Sequence, residues 1–225
     1  MTYAFSDAQA KLSVLLQDSN TGSDDAWPLA IRKKELNRGE LQFCKDTKCV
    51  RNKQTQSTTA IASQQLAVPS DFLELVCFIL DGKVISNDRE ISVQDYEQYK
   101  DYGGSSPYYY MTEESGTRYF NFIGVADGVD YEMHYVRKPS TELDLDANTS
   151  ILPEEYREAP VYYAAGQLLQ QVGKSEYADR YLSIYTRLVS DAQKYAENLY
   201  VSRKYANPDY QSIDVEGNGF DFGGN

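Results

Sequence analysis

Cysteine, histidine and tryptophan are scarce in this chain of 225 residues: three, one and one. The three cysteines, Cys44, Cys49 and Cys77, form an odd set with no disulfide framework, as expected of a chain kept in a reducing cytoplasm. Cys44-x4-Cys49 with one histidine is poor material for zinc, which wants four ligands, so no metal site is expected. A Ser-His-Asp or Cys-His centre would depend wholly on His134, which falls in a predicted strand with no evident partner. Long apolar runs are missing as well. The longest, FLELVCFIL, is far short of a membrane span and contains Glu74. The opening stretch MTYAFSDAQAKLSVLLQD lacks the basic region and long apolar core of a signal peptide. A soluble chain made in the cytosol, with no membrane partner, is the expectation.

Cofactor motifs are also missing. There is no Gly-x-Ser-x-Gly, no phosphate loop, no His-Glu-x-x-His and no dinucleotide fingerprint. The glycines of YGGSS and of the C-terminal segment lack the strand–turn–helix context such loops need. No cofactor is expected.

Basic residues are outnumbered 22 to 34, for a net charge of −12 and a pI near 4.6. That balance argues against a nucleic-acid binder, which would show a basic footprint, and against attraction to anionic membranes. It does not exclude a protein that lets DNA slide past, because a like-charged wall repels phosphates. The charge is uneven. Residues 32–53 hold eight Lys or Arg against three acids, a net of +5, so the remainder carries −17. Arg32, Lys33, Lys34, Arg38, Lys45 and Lys48 read either as a solvated helix face or as a patch that meets an acidic neighbour, such as a second copy of the chain.

Tyrosine is the excess: 20, against 8 phenylalanines. It gives large contact area with a wet end, which favours interfaces over a pocket.

The chain divides into four parts. Residues 1–49 read as helices. Ser6-Asp7 can cap the first, with Ala10, Val14 and Leu15 or Leu16 on one face. Ser23 can cap the second, with Asp24 and Asp25 near its positive end. Pro28 fits only a first turn, so this helix is predicted to start at Ala26 or Trp27, with Leu29, Leu36, Leu41 and Phe43 as its apolar stripe.

Residues 50–150 read as an antiparallel β-region, a sandwich or an open barrel. Asp81-Gly82 between apolar runs is a hairpin signal. SVQDYEQYKDYGG holds a turn or two of helix. PYYYMTEESGTRYFNFIG reads as two strands around Glu114-Ser115-Gly116. In VDYEMHYVRKP, Tyr131, Met133 and Tyr135 alternate with Glu132, His134 and Val136, the period of a half-buried strand that leaves His134 on the surface side.

Residues 151–204 read as a helical hairpin. In LPEEYREAPVYYAAGQLL, three glutamates beside tyrosines raise the question of acid–base chemistry. Leu152-Pro153 followed by Glu154 and Glu155 is a helix start, where acids complement the dipole. Glu154 and Glu158 share a face, but a catalytic pair needs burial or a partner to split the two pKa values. Pro160 either kinks the helix or begins it. Ala164, Ala165 and Gly166 allow close approach of another backbone, and Gly173 is a natural cap. Ser175 can cap a last helix over 175–204, with a stripe of Tyr177, Tyr181, Ile184, Leu188, Ala192, Tyr195 and Leu199. Residues 205–225 read as a disordered tail with a net charge of −4, either a frayed terminus or a tail that folds upon a partner through Tyr205, Tyr210, Ile213, Val215, Phe220 and Phe222 as spaced apolar anchors. The fold class is α+β: a helical bundle of about four helices, an inserted antiparallel β-domain and an extended C-terminal arm.

The order of these parts resembles the head-to-tail adaptor (connector) proteins of tailed bacteriophages. AWPLAIRKKELNRGELQFC resembles their first long helix, with Leu36-Asn37 in its middle. LAVPSDFLELVCFILDGKVI resembles the Pro-x-Asp-Phe-Leu entry into the sheet, here Pro69, Asp71, Phe72 and Leu73. ILPEEYREAPVYYAAGQLLQQVGKSEYADRYLSIYTRLV resembles the final helical hairpin, with Pro160 where an aliphatic residue is expected. The resemblance implies a virion structural protein at the head–tail junction, made in the host cytoplasm. It implies a self-assembled ring, usually of twelve copies, beneath the portal protein. Genomic DNA passes through its lumen without specific binding, a tail protein docks below, and the C-terminal arm inserts against the portal.

Two other readings come from the residues. A virion-associated cell-wall glycan hydrolase would need two carboxylates in a cleft, from Glu113 and Glu114 or from Glu154 and Glu158. A sheet-based carbohydrate binder would use the tyrosines around 108–110.

Overall fold

The computed structural model describes residues 4–16, 27–56, 65–80, 82–86, 89–101, 107–125, 129–139, 142–144 and 148–206. The fold is α+β, with five α-helices and antiparallel sheets among the described residues.

Helix α1 (Phe5–Leu16) buries Phe5, Ala8, Leu12 and Leu16. Of the expected face, Leu16 is buried and Leu15 packs partly, but Ala10 and Val14 are exposed, Val14 at 74%. Steps of three and then four from Phe5 carry the contact, and the period set by Val14 is a surface one. Asp7 serves the helix start, accepting the Ala4 N–H on its carboxylate at 2.9 Å.

Helix α2 (Leu29–Thr47) starts later than the sequence reading has it, with Pro28 outside the first turn. Leu29 is exposed and Leu41 half-buried, so the predicted stripe is only half right. The buried side holds Arg32, Glu35, Leu36, Gly39, Glu40, Phe43, Cys44 and Thr47. Polar residues inside a helix contact were outside the reach of an apolar-stripe argument.

Lys48 follows in the left-handed region (φ 51°) and turns the chain into the sheets. One sheet has the order β1 (Arg51–Gln56), β7 (Tyr131–Arg137), β3 (Phe72–Leu80) and β4 (Lys83–Ser86). The other has the order β2 (Gln65–Ala67), β6 (Thr117–Ile123) and β5 (Tyr108–Glu114). Both predicted hairpins form. Leu80 pairs with Lys83 around Gly82, and Glu114 pairs with Thr117 around Ser115 and Gly116. Ser115 and Gly116 both have positive φ, the requirement of a tight hairpin turn that matches strand twist.

The two sheets pack face to face over Phe72, Phe78, Tyr109, Phe120, Phe122, Tyr131 and Met133. Strand β7 alternates as predicted. Strand β3 does not: Phe72, Leu75, Phe78 and Leu80 face the core because register shifts at Phe72/Glu74 and Leu75/Cys77 break the period of two. Between β4 and β5, a 3-10 turn (Val93–Asp95) leads into the one-turn helix α3 (Tyr96–Tyr99).

Pro153 opens a separate 3-10 turn (Glu154–Tyr156), and α4 (Ala159–Gln171) begins afresh. Pro160 therefore starts its helix. It sits in the first turn, where a missing N–H costs nothing. At the other end Gly173 (φ 73°) donates to the Gln170 carbonyl and Lys174 to that of Leu169, a Schellman cap. Helix α5 (Ser175–Ala206) then runs back along α4. Its buried seam is Ala178, Tyr185, Ala192 and Ala196; of the predicted stripe Ala192 is buried and Tyr181 and Leu188 pack partly, while Tyr177 and Tyr195 are exposed.

Helices α1, α2 and α5 all pack on α4, which is buried along most of its length. Contact is close. A Cβ on Gly166 would lie 2.6 Å from Leu182 Cγ, and one on Gly39 would lie 2.9 Å from the Pro160 carbonyl oxygen.

Candidate functional site

Helix α2 carries both the basic cluster and a second polar face that the sequence reading passed over. Lys34, Arg38, Lys45 and Lys48 are exposed and recur at steps of three or four, with one larger gap filled by half-buried Leu41. They form one stripe on the outer side of the helix. Arg32 is 4% exposed, with Nη1 donating to Ser13 Oγ, so it is not part of any surface patch. Lys33 is turned inward on the chain: Nζ donates to the Asp144 carbonyl at 2.6 Å and to its carboxylate at 2.9 Å. Arg38 reaches the buried Glu35 at 3.7 Å, and Lys48 reaches Glu74 on β3 at 2.6 Å.

The second polar face is Lys33, Asn37 and Glu40, again at helical steps. It holds the segment that returns from the sheets. The Asn37 amide brackets Leu143, accepting its N–H at 2.7 Å and donating to its carbonyl at 3.1 Å. Glu40, 1% exposed, accepts from Ser150 Oγ and from the Ile151 N–H at 2.9 Å. Burial raises the Glu40 pKa, and the Ser150 and Ile151 hydrogen bonds pull against that rise. Burial, aided by nearby Glu40, pushes the Cys44 thiol far up, so it is inert. Ala4 adds a bridge to Thr149 from the other side. Helix α2 thus grips the returning chain through backbone groups, by which the neighbouring residues' identities matter little. The signal in the sequence was the i, i+4, i+7 spacing of Lys33, Asn37 and Glu40, which a search for apolar periods does not see.

The acids proposed for hydrolysis do not come together. Glu113 and Glu114 are exposed neighbours on β5, and successive side chains of a strand point to opposite faces. Glu154 and Glu155 are exposed on the 3-10 turn. Glu158 pairs with Lys11 at 2.5 Å, and Lys11 also stands 4.9 Å over the Tyr162 ring. Burial lowers the Lys11 pKa, but the bonds to Glu158 and Tyr162 outweigh it and hold the amine above its ordinary value. The acids and phenols of the stretch 152–169 therefore make a helix start, an ion pair and packing contacts. His134, half-buried on the outer face of β7, has Nε2 3.2 Å from the Glu132 carboxylate. No cluster of metal-binding side chains occurs among the described residues.

Of the arm residues, Tyr205 falls in the last turn of α5, which extends to Ala206. Tyr210, Ile213, Val215, Phe220 and Phe222 lie outside the described residues.

No curated protein matches the sequence. A family model described as SU10 adaptor protein matches residues 1–208, from the first helix through the end of α5. The match takes in the gripped segment, both sheets and all five helices, so the chain belongs to the SU10 adaptor protein family, a family of bacteriophage head-to-tail adaptors.

Proposed function

We propose that this virion structural protein assembles as a ring of twelve copies beneath the portal, lengthens the DNA channel and offers the tail a docking surface. The observation that carries the reading is the family match over residues 1–208. The chemistry of the chain supports it. Neighbours in a ring are related by rotation, so each uses one face to meet a different face of the next. The exposed stripe of Lys34, Arg38, Lys45 and Lys48, set in a chain of net charge −12, supplies one such face and an acidic remainder to oppose it. An acidic lumen lets DNA slide without sticking.

In this reading residues 1–49 and 151–204 make the helical bundle that forms the ring, residues 50–150 are an inserted β-domain, and residues 205–225 are the portal-binding arm. Tyr205, Tyr210, Ile213, Val215, Phe220 and Phe222 are its anchors. Electron microscopy of the protein mixed with its portal tests the reading. A ring of the portal's symmetry is expected, and a complex with no ring overturns it. Removal of residues 207–225, beyond α5, should abolish portal binding while leaving the melting temperature unchanged.

A further inference from the structure

The three-stranded sheet has two faces of opposite character. Tyr109, Phe120 and Phe122 point into the core between the sheets. On the outer face, Tyr110 is paired with Asn121, and Asn121 with Gln65. Directly paired residues stand side by side on one face. With strands about 4.8 Å apart, the phenol and the two amides form a row roughly 10 Å long.

This row is the floor of a cleft of about 430 Å³. Helix α3 provides the wall: Tyr96 stands over Tyr110, ring centroids 5.3 Å apart, with Lys100 and Asp101 at the rim. The floor is held in place. Asn121 is 5% exposed, and its Nδ2 donates to Thr112 Oγ1 at 2.8 Å, which fixes the amide plane and leaves the carbonyl oxygen as an acceptor. Tyr99 stacks on Tyr108 beside it, centroids 4.7 Å apart, so α3 is anchored on the sheet by two ring pairs. The rim is not an anion clamp, because Lys100 is ion-paired with Glu97.

A partly exposed tyrosine, one fixed amide beside a second amide and no uncompensated cation suit a ligand with many hydroxyls and a C–H face for one ring. We propose that this cleft binds a neutral oligosaccharide, with about two sugar rings seated along Gln65, Asn121 and Tyr110 and one ring face against Tyr96. Sites of this type draw orientation from a few placed polar groups and contact area from aromatic rings. The site stands apart from ring assembly, and its test does not depend on it.

The test is a titration of the isotope-labelled full chain with maltotetraose, cellotetraose and chitotetraose, followed by nuclear magnetic resonance. Saturable shifts of the Gln65 and Asn121 side-chain amides are expected with at least one of these sugars. Gln65→Ala, at a position with solvent access, should weaken that binding at least about tenfold with the melting temperature unchanged, and Tyr96→Ala, which also removes one of the two ring pairs that hold α3, should weaken it as strongly. Tyr96→Phe, which keeps the ring, should bind as the parent does. The proposal is overturned if none of the sugars moves those amide signals at millimolar concentration. It is overturned equally if both alanine variants bind as tightly as the parent.

Discussion

The helices and the sheets of this protein both bury rings, Phe43 against Tyr185 among the helices, but only the helices add a seam of small residues. Helix α4 meets its neighbours through Ala159, Ala164, Ala165 and Gly166, and Gly39 of α2 lies against the Pro160 backbone. The sheets meet through rings: Phe78 contacts Tyr109, Phe120 and Phe122 at centroid distances of 5.2, 5.0 and 4.9 Å, all edge-on. Small residues fix backbone separation and tolerate no added atoms. Aromatic residues fill volume and tolerate no loss. The two halves should therefore fail in opposite directions when side-chain size changes.

The largest effect is expected from truncation in the sheets. Phe78→Ala removes a ring with no solvent exposure and should cost about 3–5 kcal/mol in urea unfolding. The same change of direction in the helices, Ala165→Gly, should cost only about 1 kcal/mol from helix propensity, while enlargement does the damage there. Gly39→Ala puts a methyl against backbone that cannot turn aside, and a loss of about 1–3 kcal/mol is expected even after the gain in helix propensity. Gly166→Ala meets the half-buried Leu182 side chain, which can move, so its melting temperature should fall less than that of Gly39→Ala. Equal losses at the two glycines would erase the distinction between a backbone contact and a side-chain contact.

Glu40 tests the polar side of the helical region. Its folded pKa lies above the ordinary 4.5, so the folded state holds the proton more tightly than the unfolded state does. The contribution is present below that value and is lost as pH rises through the raised one. Relative to Glu40→Gln, which does not titrate, the parent should lose stability as pH is taken from 4.5 upward. A difference in melting temperature that stays flat with pH would contradict this. Glu40→Ala should cost about 1–3 kcal/mol at pH 4.5 and less as pH rises, because the Ile151 N–H and Ser150 hydroxyl lose their acceptor.

The smallest effect is expected at Lys48→Ala. Its bond to Glu74 joins the helices to β3, but both side chains are about half exposed, and such pairs contribute roughly 0–1 kcal/mol.

What the sequence made legible follows the same division. In the sheets, alternation in β7 and turn residues in the hairpins are local signals, and both held. Strand β3 escaped because two bulges change which residues face inward without changing the sequence's apparent period. In the helices, Ala164-Ala165-Gly166 and Gly173 announced close packing and a cap correctly. The stripes of α1 and α5 hold only in part, at Leu16 and Ala192: Val14, Tyr177 and Tyr195 face solvent, and the seams run through Phe5, Ala8 and Leu12 and through Ala178, Tyr185 and Ala196. Glu154 and Glu155 open a separate 3-10 turn and not α4, whose first turn holds no acid, and Pro160 begins α4. The cation cluster was legible as charge but not as geometry. Only a helix register separates Arg32 and Lys33, engaged within the chain, from Lys34, Arg38, Lys45 and Lys48 outside. The row Tyr110–Asn121–Gln65 is invisible in one dimension, since strand pairing alone brings its members together.

The grip of α2 on the returning segment has a topological consequence. The chain leaves α2 at Lys48 and comes back along the same helix at Leu143, Ser150 and Ile151. Seen from the helices, both sheets are a single long excursion whose two ends are pinned close together. Closing such a loop costs entropy that grows only with the logarithm of its length, about 0.6 kcal/mol per doubling. The excursion can therefore lengthen, shorten or be exchanged with little thermodynamic effect on the helices, provided the anchor points on α2 are kept.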